Sequence, residues 1–141
     1  MPGIGSRALS KFEQADGGRV KRKLLRKAAE DKEILETYAH VDHRDGDDCR
    51  VCGRRISGRG GLTNKAIHHH LIYRSKIGVS QGRHHPRNVI RICPVCDSDI
   101  HVEHTLHLEG DAEIRAAESG KLCGVRVERH TESGWKVVKF C

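Results

Sequence analysis

Between Cys49 and Cys96 the sequence contains no Asp and no Glu, although ten Lys or Arg residues fall there. The absence is local. Residues 1–48 balance at ten basic and ten acidic side chains, and the whole chain carries a formal net charge of +7. A stretch without carboxylates cannot neutralise its own cations, so its field reaches outward, and its natural partner is a phosphate backbone. Aromatic residues are scarce too, at 4% of 141, and the hydrophobic share is only 36%. Apolar burial alone is therefore a thin source of stability, and a chain of this length is most simply one domain. The acid-free stretch has few rings on which bases could stack, so its binding to nucleic acid should be mainly electrostatic. No apolar run reaches membrane-spanning length, and Met1–Ser10 lacks the apolar segment of a secretory signal. The expectation is a soluble, cytoplasmic protein with no membrane partner.

What the sequence does contain is two Cys-x-x-Cys pairs, Cys49/Cys52 and Cys93/Cys96, bracketing a run of histidines, His68, His69 and His70. In a reducing compartment such pairs read as metal ligands in preference to disulfides. Two of them at this separation can close four thiolates around one tetrahedral zinc and tie off the intervening chain as a loop. A structural zinc would supply the stability that the core lacks, because its binding free energy, on the order of 10 kcal/mol, couples directly to folding. Cys123 and Cys141 lie outside the pattern and read as ordinary strand cysteines.

Along the chain, residues 1–18 are Gly-rich and polar and are expected to be poorly ordered. From Gly18 to about His40, Val20, Leu24, Leu25, Ala28, Ile34, Leu35 and Tyr38 recur at helical spacing among charges, predicting an amphipathic helix with a basic first half, Arg19–Lys27. Asp42–Asp48 reads as an acidic linker and Gly53–Gly61 as a loop. Lys65–Ile72 reads as a short strand bearing the three histidines. A polar loop, Arg74–Arg87, follows, in which His84 and His85 read as surface histidines. Asn88–Ile92 alternates as a second strand leading into Cys93. A helix is expected from Asp97 to about Leu108, with His101 four residues after Asp97 on one face and His104 and His107 continuing it. Val125–Arg129 and Trp135–Phe140 around Glu132-Ser133-Gly134 predict a terminal hairpin. The organisation is thus a flexible N-terminus (1–18), a helix and linker (19–48), a core (49–108) and a hairpin extension (109–141).

The segment from His69-His70 through Arg74-Ser75, then Asn88, Cys93, Cys96 and Asp97, then His101, resembles the HNH endonucleases, and in particular small phage and bacterial members with a four-cysteine zinc site. The resemblance covers about Cys49 to His104. It implies an α+β fold, a zinc-stapled ββα-metal (HNH, His-Me) finger, here with an N-terminal helix and a C-terminal β-hairpin. Position by position, it implies that His70 is the general base and that Asn88 pins the loop that orients it. His69, Asp97 and His101 would hold a catalytic divalent ion, with Asp97 where the family most often has His. A register shifted by one would instead make His68 the ligand and His69 the base. The resemblance further implies double-stranded DNA as partner, and for a phage-encoded chain a place in the host cytoplasm beside the packaging machinery.

The residues support the same chemistry on their own terms. Hydrolysing a phosphodiester needs an activated water and groups that stabilise the crowded phosphate and the departing oxygen. An unliganded imidazole titrates near neutrality and can take the water's proton. Mixed nitrogen and oxygen ligands suit magnesium, manganese, nickel or zinc. Arg74 and Lys76, beside the histidine strand, are the best candidates for gripping the scissile strand, with Arg87, Arg54 and Arg55 as further DNA contacts. Reading of shape and charge, with low sequence specificity, is expected. The alternatives are a non-catalytic zinc-ribbon DNA-binding module and a relative that acts on RNA.

Overall fold

The computed structural model describes residues 11–56, 65–114 and 124–141, with the side chains of residues 11–16 left aside. Part of the Gly53–Gly61 loop and Cys123 lie outside the described residues. The fold is mixed α+β, with one long helix and two small antiparallel sheets. The elements run α1 (Lys11–Asp45), β1 (Ile67–His70), β2 (Val89–Ile92), α2 (Pro94–His101), β3 (Leu106–Gly110), β4 (Val125–Thr131) and β5 (Gly134–Phe140). By its contacts the chain divides into two compact units, Met1–Glu33 and Ile34–Cys141. In the first, α1 already runs from Lys11 through Gly17 and Gly18, where an unstructured start was expected. Each glycine costs a helix about 1 kcal/mol, but extending a nucleated helix is cheap enough to carry it past such positions. Val20, Leu24 and Leu25 stay exposed.

In the second unit α1 continues past His40 to Asp45, through what reads in the sequence as a linker. Gly46 stops it: at φ +71° it takes the left-handed conformation that closes a helix, and its N–H donates to the Asp42 carbonyl at 3.1 Å. The acidic residues there serve as ionic anchors. Asp45, its side chain buried, accepts from Arg44 Nε at 2.6 Å, from Arg50 Nη1 at 3.2 Å and from the Arg91 backbone at 2.9 Å. Burial alone would raise its pKa, but the bonds from Arg44 and Arg91 overcome that and hold the carboxyl below its ordinary value. Arg44 also donates to the carbonyls of Pro86, at 2.8 Å, and Val89, at 2.6 Å. The end of α1 is thereby bolted to β2. Asp45→Asn removes the charge facing two guanidiniums that are each only 8% exposed. The expected loss is about 3–5 kcal/mol of stability, read from chemical denaturation.

β1 and β2 pair antiparallel, with His69 opposite Ile90 and His70 opposite Val89. The chain between them forms two short 3-10 turns, Val79–Gln81 and Pro86–Asn88, where a plain loop was expected. α2 starts at Cys93, whose sulfur caps it, with Pro94 in its first turn. The helix expected to reach Leu108 ends at His101. Val102 and Glu103 both donate back to the Ser98 carbonyl, and His104 turns the chain at φ +53°. Leu106 and Leu108 then alternate as buried residues of β3. The apolar period changes there from helical to two, because β4 offers an edge to pair with.

The expected terminal hairpin is β4–β5, and β3 adds to it as the third strand in the order β3-β4-β5. Gly110, at φ +133°, lies so close to Gly124 that a Cβ would stand 1.9 Å from the Gly124 carbonyl oxygen, so only glycine permits this crossing. Ile56, Ile90, Ile92, Ile100, Leu106, Leu108, Val125 and Val127 form the core around the buried cysteines.

Candidate metal centre

The two Cys-x-x-Cys pairs meet at one point. Cys49 lies just past α1, where its N–H donates to Arg54 O at 2.6 Å and its carbonyl accepts from Gly53 N at 2.8 Å, a tight knuckle with Gly53 at φ +76°. Backbone N–H groups of Cys52, Arg54 and Cys96 point at sulfurs at 3.5 Å. Such donors favour thiolate over thiol. The Sγ atoms of Cys49 and Cys96 are 3.8 Å apart, those of Cys52 and Cys93 3.6 Å, and all four lie within 4.8 Å of one another. Sulfurs bound at about 2.3 Å to a tetrahedral zinc stand roughly 3.8 Å apart, so the cluster has the dimensions to hold a structural metal such as zinc. The hydrogen bond with Cys96 pulls the Cys49 thiol down to about 4, and Cys96 is itself pushed up by the same neighbour. Four thiols this close cannot all ionise without a cation among them.

The second cluster is built by β1 and α2. Successive residues of a strand face opposite sides, so His69 departs from His68 and His70. His69 Nδ1 lies 3.7 Å from Asp97 Oδ1, His101 Nε2 lies 3.5 Å from the same oxygen, and the three ligand atoms fall within 4.8 Å of one another. Asp97 and His101 share one face of α2 because they are four residues apart. Donors about 2.1 Å from a tetrahedral ion stand roughly 3.4 Å apart, so a small inward shift would let these three ligate a divalent cation.

His68 takes no part: its ring stacks on Tyr38 at 3.9 Å and its Nε2 meets Asp42 at 2.6 Å. Of the two registers open in the sequence, the geometry joins His69 to Asp97 and His101. His104 and His107, beyond the end of α2, are not part of this cluster.

His70 sits beside the cluster, 9% exposed, and its Nε2 meets Nδ1 of His84 at 3.2 Å. His84 is fully buried, not on the surface as its polar surroundings suggest. Its carbonyl accepts from Thr37 Oγ1 at 2.5 Å. Nothing in the spacing of His70 and His84 signals the pairing; the turn around Gly82, at φ +91°, produces it. Asn88 spends its whole side chain on this loop. Its Oδ1 accepts from Ile72 N at 2.7 Å, and its Nδ2 donates to Ile72 O at 3.1 Å and Arg83 O at 3.0 Å. Asn88 thus positions the segment that carries His84 and reaches no cleft-facing atom of the cluster.

His69, His70, Tyr73, Arg74, Ser75, Asp97 and His101, with His68 at the wall, line one cleft of about 430 Å³. Lys76 lies over the Tyr73 ring, Nζ 5.6 Å from its centre. Arg87 pairs with Asp111 at 2.8 Å, while Arg54 and Arg55 are exposed beside the cysteine knuckle. Against family models, curated proteins and solved structures the chain has no match.

Burial pushes both His69 and His70 down to about 4, helped by His101 for the first and by His84 and Arg74 for the second. Both rings are neutral at pH 7. Unfolded, they titrate near 6.5. Between pH 6.5 and 4 the unfolded chain takes up protons that the folded chain refuses, so the stability present above 6.5 is lost as the pH falls toward 4. The unfolding temperature is expected to drop on acidification through that window, with a shallower slope in His70→Gln. Thermal denaturation of both proteins across the pH series checks this, and parallel curves would refute the role of His70.

Proposed function

We propose that this chain is a metal-dependent DNA endonuclease of the HNH type, hydrolysing phosphodiester bonds of double-stranded DNA. The observation that carries the reading is the single cleft in which His69, Asp97 and His101 converge beside a buried, neutral His70 and the side chain of Arg74. The order β1, β2, α2, with the candidate ligands on the first strand and the helix and a four-cysteine cluster at their base, supports it further. His69, Asp97 and His101 would hold a divalent ion, which would supply Lewis-acid polarisation of the phosphate. His70 accepts the proton of the attacking water at Nδ1, the nitrogen left free while Nε2 engages His84. Arg74 and Lys76 hold the phosphates on either side of the cut.

In the other unit, Arg19, Arg22, Lys23 and Arg26 fall at i, i+3, i+4 and i+7 and line one cleft on a single face of α1, a suitable surface for further backbone contact. Such contacts carry no sequence information, so cutting has low specificity. Among the described residues no helix is long and apolar enough to cross a membrane. For a phage-encoded chain, the reading places the activity in phage DNA processing in the host cytoplasm, beside the packaging machinery.

Supercoiled plasmid incubated with magnesium, manganese, nickel or zinc should be nicked or linearised, and EDTA should abolish the reaction. Binding should weaken with salt on every sequence alike, by a slope of about −0.9 in log K against log salt for each phosphate neutralised. No cleavage with any metal, together with a tight, salt-insensitive complex on one sequence, would favour the non-catalytic zinc-ribbon module.

A further inference from the structure

The sheet β3-β4-β5 carries a second cluster that the cleavage chemistry leaves unused. One face is sealed, since Leu106, Leu108, Val125 and Val127 are buried. The pleat sends alternate residues to the other face, where His107 pairs with Glu128 and His130 with Trp135. Trp135 is the only tryptophan of the chain, and it is 49% exposed. Its ring is held in place all the same. His107 and His130 pack against it with centroids 6.4 and 5.3 Å away and planes inclined at 73° and 79°. An exposed indole, oriented in advance by its neighbours on an open sheet, is a platform for stacking a flat ring.

Trp135 lines a cleft of about 350 Å³ with His104, His107, Glu128 and Tyr73. Tyr73 is shared with the metal cleft, its ring 5.6 Å from that of His101 and 6.2 Å from that of His69. A molecule reaching from one cleft to the other therefore presents a phosphate to the basic, ligand-bearing end and a planar group to the indole. Glu128 excludes phosphate from the second cleft, while its carboxylate, 3.0 Å from Arg126, can accept from an amino group on a base edge.

We propose that the Trp135 cleft binds an unpaired nucleobase of the strand whose phosphate enters the metal cleft, with the base stacked on Trp135 and its exocyclic amine read by Glu128. The proposal rests on the nuclease reading and names its substrate class: DNA with a single-stranded or displaced base next to the cut, such as a branch, a gap or a frayed end. A base stacked inside a duplex has no free face to offer.

The test uses the full-length, zinc-loaded His70→Ala protein, titrated with short single-stranded oligo(dC) and oligo(dT) and with a duplex of equal length. Binding is followed by tryptophan emission and by the anisotropy of labelled DNA. Single strands should quench Trp135 more than duplex does. Trp135→Leu should weaken their binding about tenfold or more, and Trp135→Phe, which keeps a ring, should recover most of it. Oligo(dC) should bind more tightly than oligo(dT), and Glu128→Gln should erase the difference. Absence of quenching, or equal affinity in Trp135→Leu, overturns the proposal; equal binding of the two oligonucleotides to the unaltered pocket overturns the part given to Glu128. Plasmid cleavage by the wild-type protein separates the two readings. A protein that quenches but never cuts refutes the nuclease and keeps the base site, whereas one that cuts without quenching refutes the base site alone.

Discussion

Cys93→Ser is expected to release the zinc and unfold the second unit, not merely to slow a reaction. Cys93 does two things at once: its sulfur caps α2 by accepting from Cys96 N at 3.5 Å, and it stands 3.6 Å from that of Cys52. A structural zinc contributes on the order of 10 kcal/mol, comparable to the whole stability of an ordinary domain, so a core this small does not survive its loss. Cys49→Ser should behave alike. Cys141→Ser, outside the cluster, should keep both metal and fold. Elemental analysis should find one tightly held zinc per chain in the wild-type protein and none in the two cluster variants, with circular dichroism following the fold. A zinc-free wild-type protein equally folded in strong chelator would dispose of the structural role.

The second large effect separates three histidines that differ in what they touch. His70→Ala should keep fold, zinc and DNA binding while cleavage falls about 10²- to 10⁴-fold, the usual contribution of a general base. His69→Ala removes a candidate ligand, so excess manganese should restore part of the rate. His84→Leu takes away the nitrogen that His70 Nε2 meets at 3.2 Å. The base then loses its tilt and its tautomer, and kcat should fall about 10²-fold with KM little changed. His84→Asn, whose amide oxygen can stand near the lost Nδ1, should recover a good part of kcat, which a purely structural role for His84 would not allow. Plasmid cleavage over a manganese titration, with a thermal melt of each variant, decides among them. Full activity in His70→Ala would sink the assignment, and metal rescue of His70→Ala but not of His69→Ala would reverse it.

Local pattern carried much of this protein into view. The two Cys-x-x-Cys pairs are legible because four thiols at fixed spacing admit few other uses, and the structure brings their sulfurs together. Asp97 and His101 are legible as a pair because four residues make about one helical turn, and β2 because Val89, Ile90 and Ile92 are interleaved with polar residues. The misreadings fall where a long-range partner overrides a local signal. Asp42, Asp45 and Asp47 look like a linker because acidic runs are usually solvated, yet each stands against a guanidinium of Arg44, Arg50 or Arg91, and the Asp45 side chain is buried there. Leu106 and Leu108 look like a helix continuing because each lies three or four residues from another apolar or histidine side chain; a strand edge on β4 claims them.

The sequence by itself determined the four-cysteine cluster, the acid-free basic segment and the residue types that could serve a metal centre, since these depend on composition and on spacing within single elements. Tertiary structure alone decided which histidine stands with Asp97 and His101, that His84 is buried against His70, and that Trp135 faces a cleft sharing a wall with the cleft of those three residues. Those relations join side chains from different elements, and their distances follow from how the sheets and α2 pack, which no periodicity in the chain encodes.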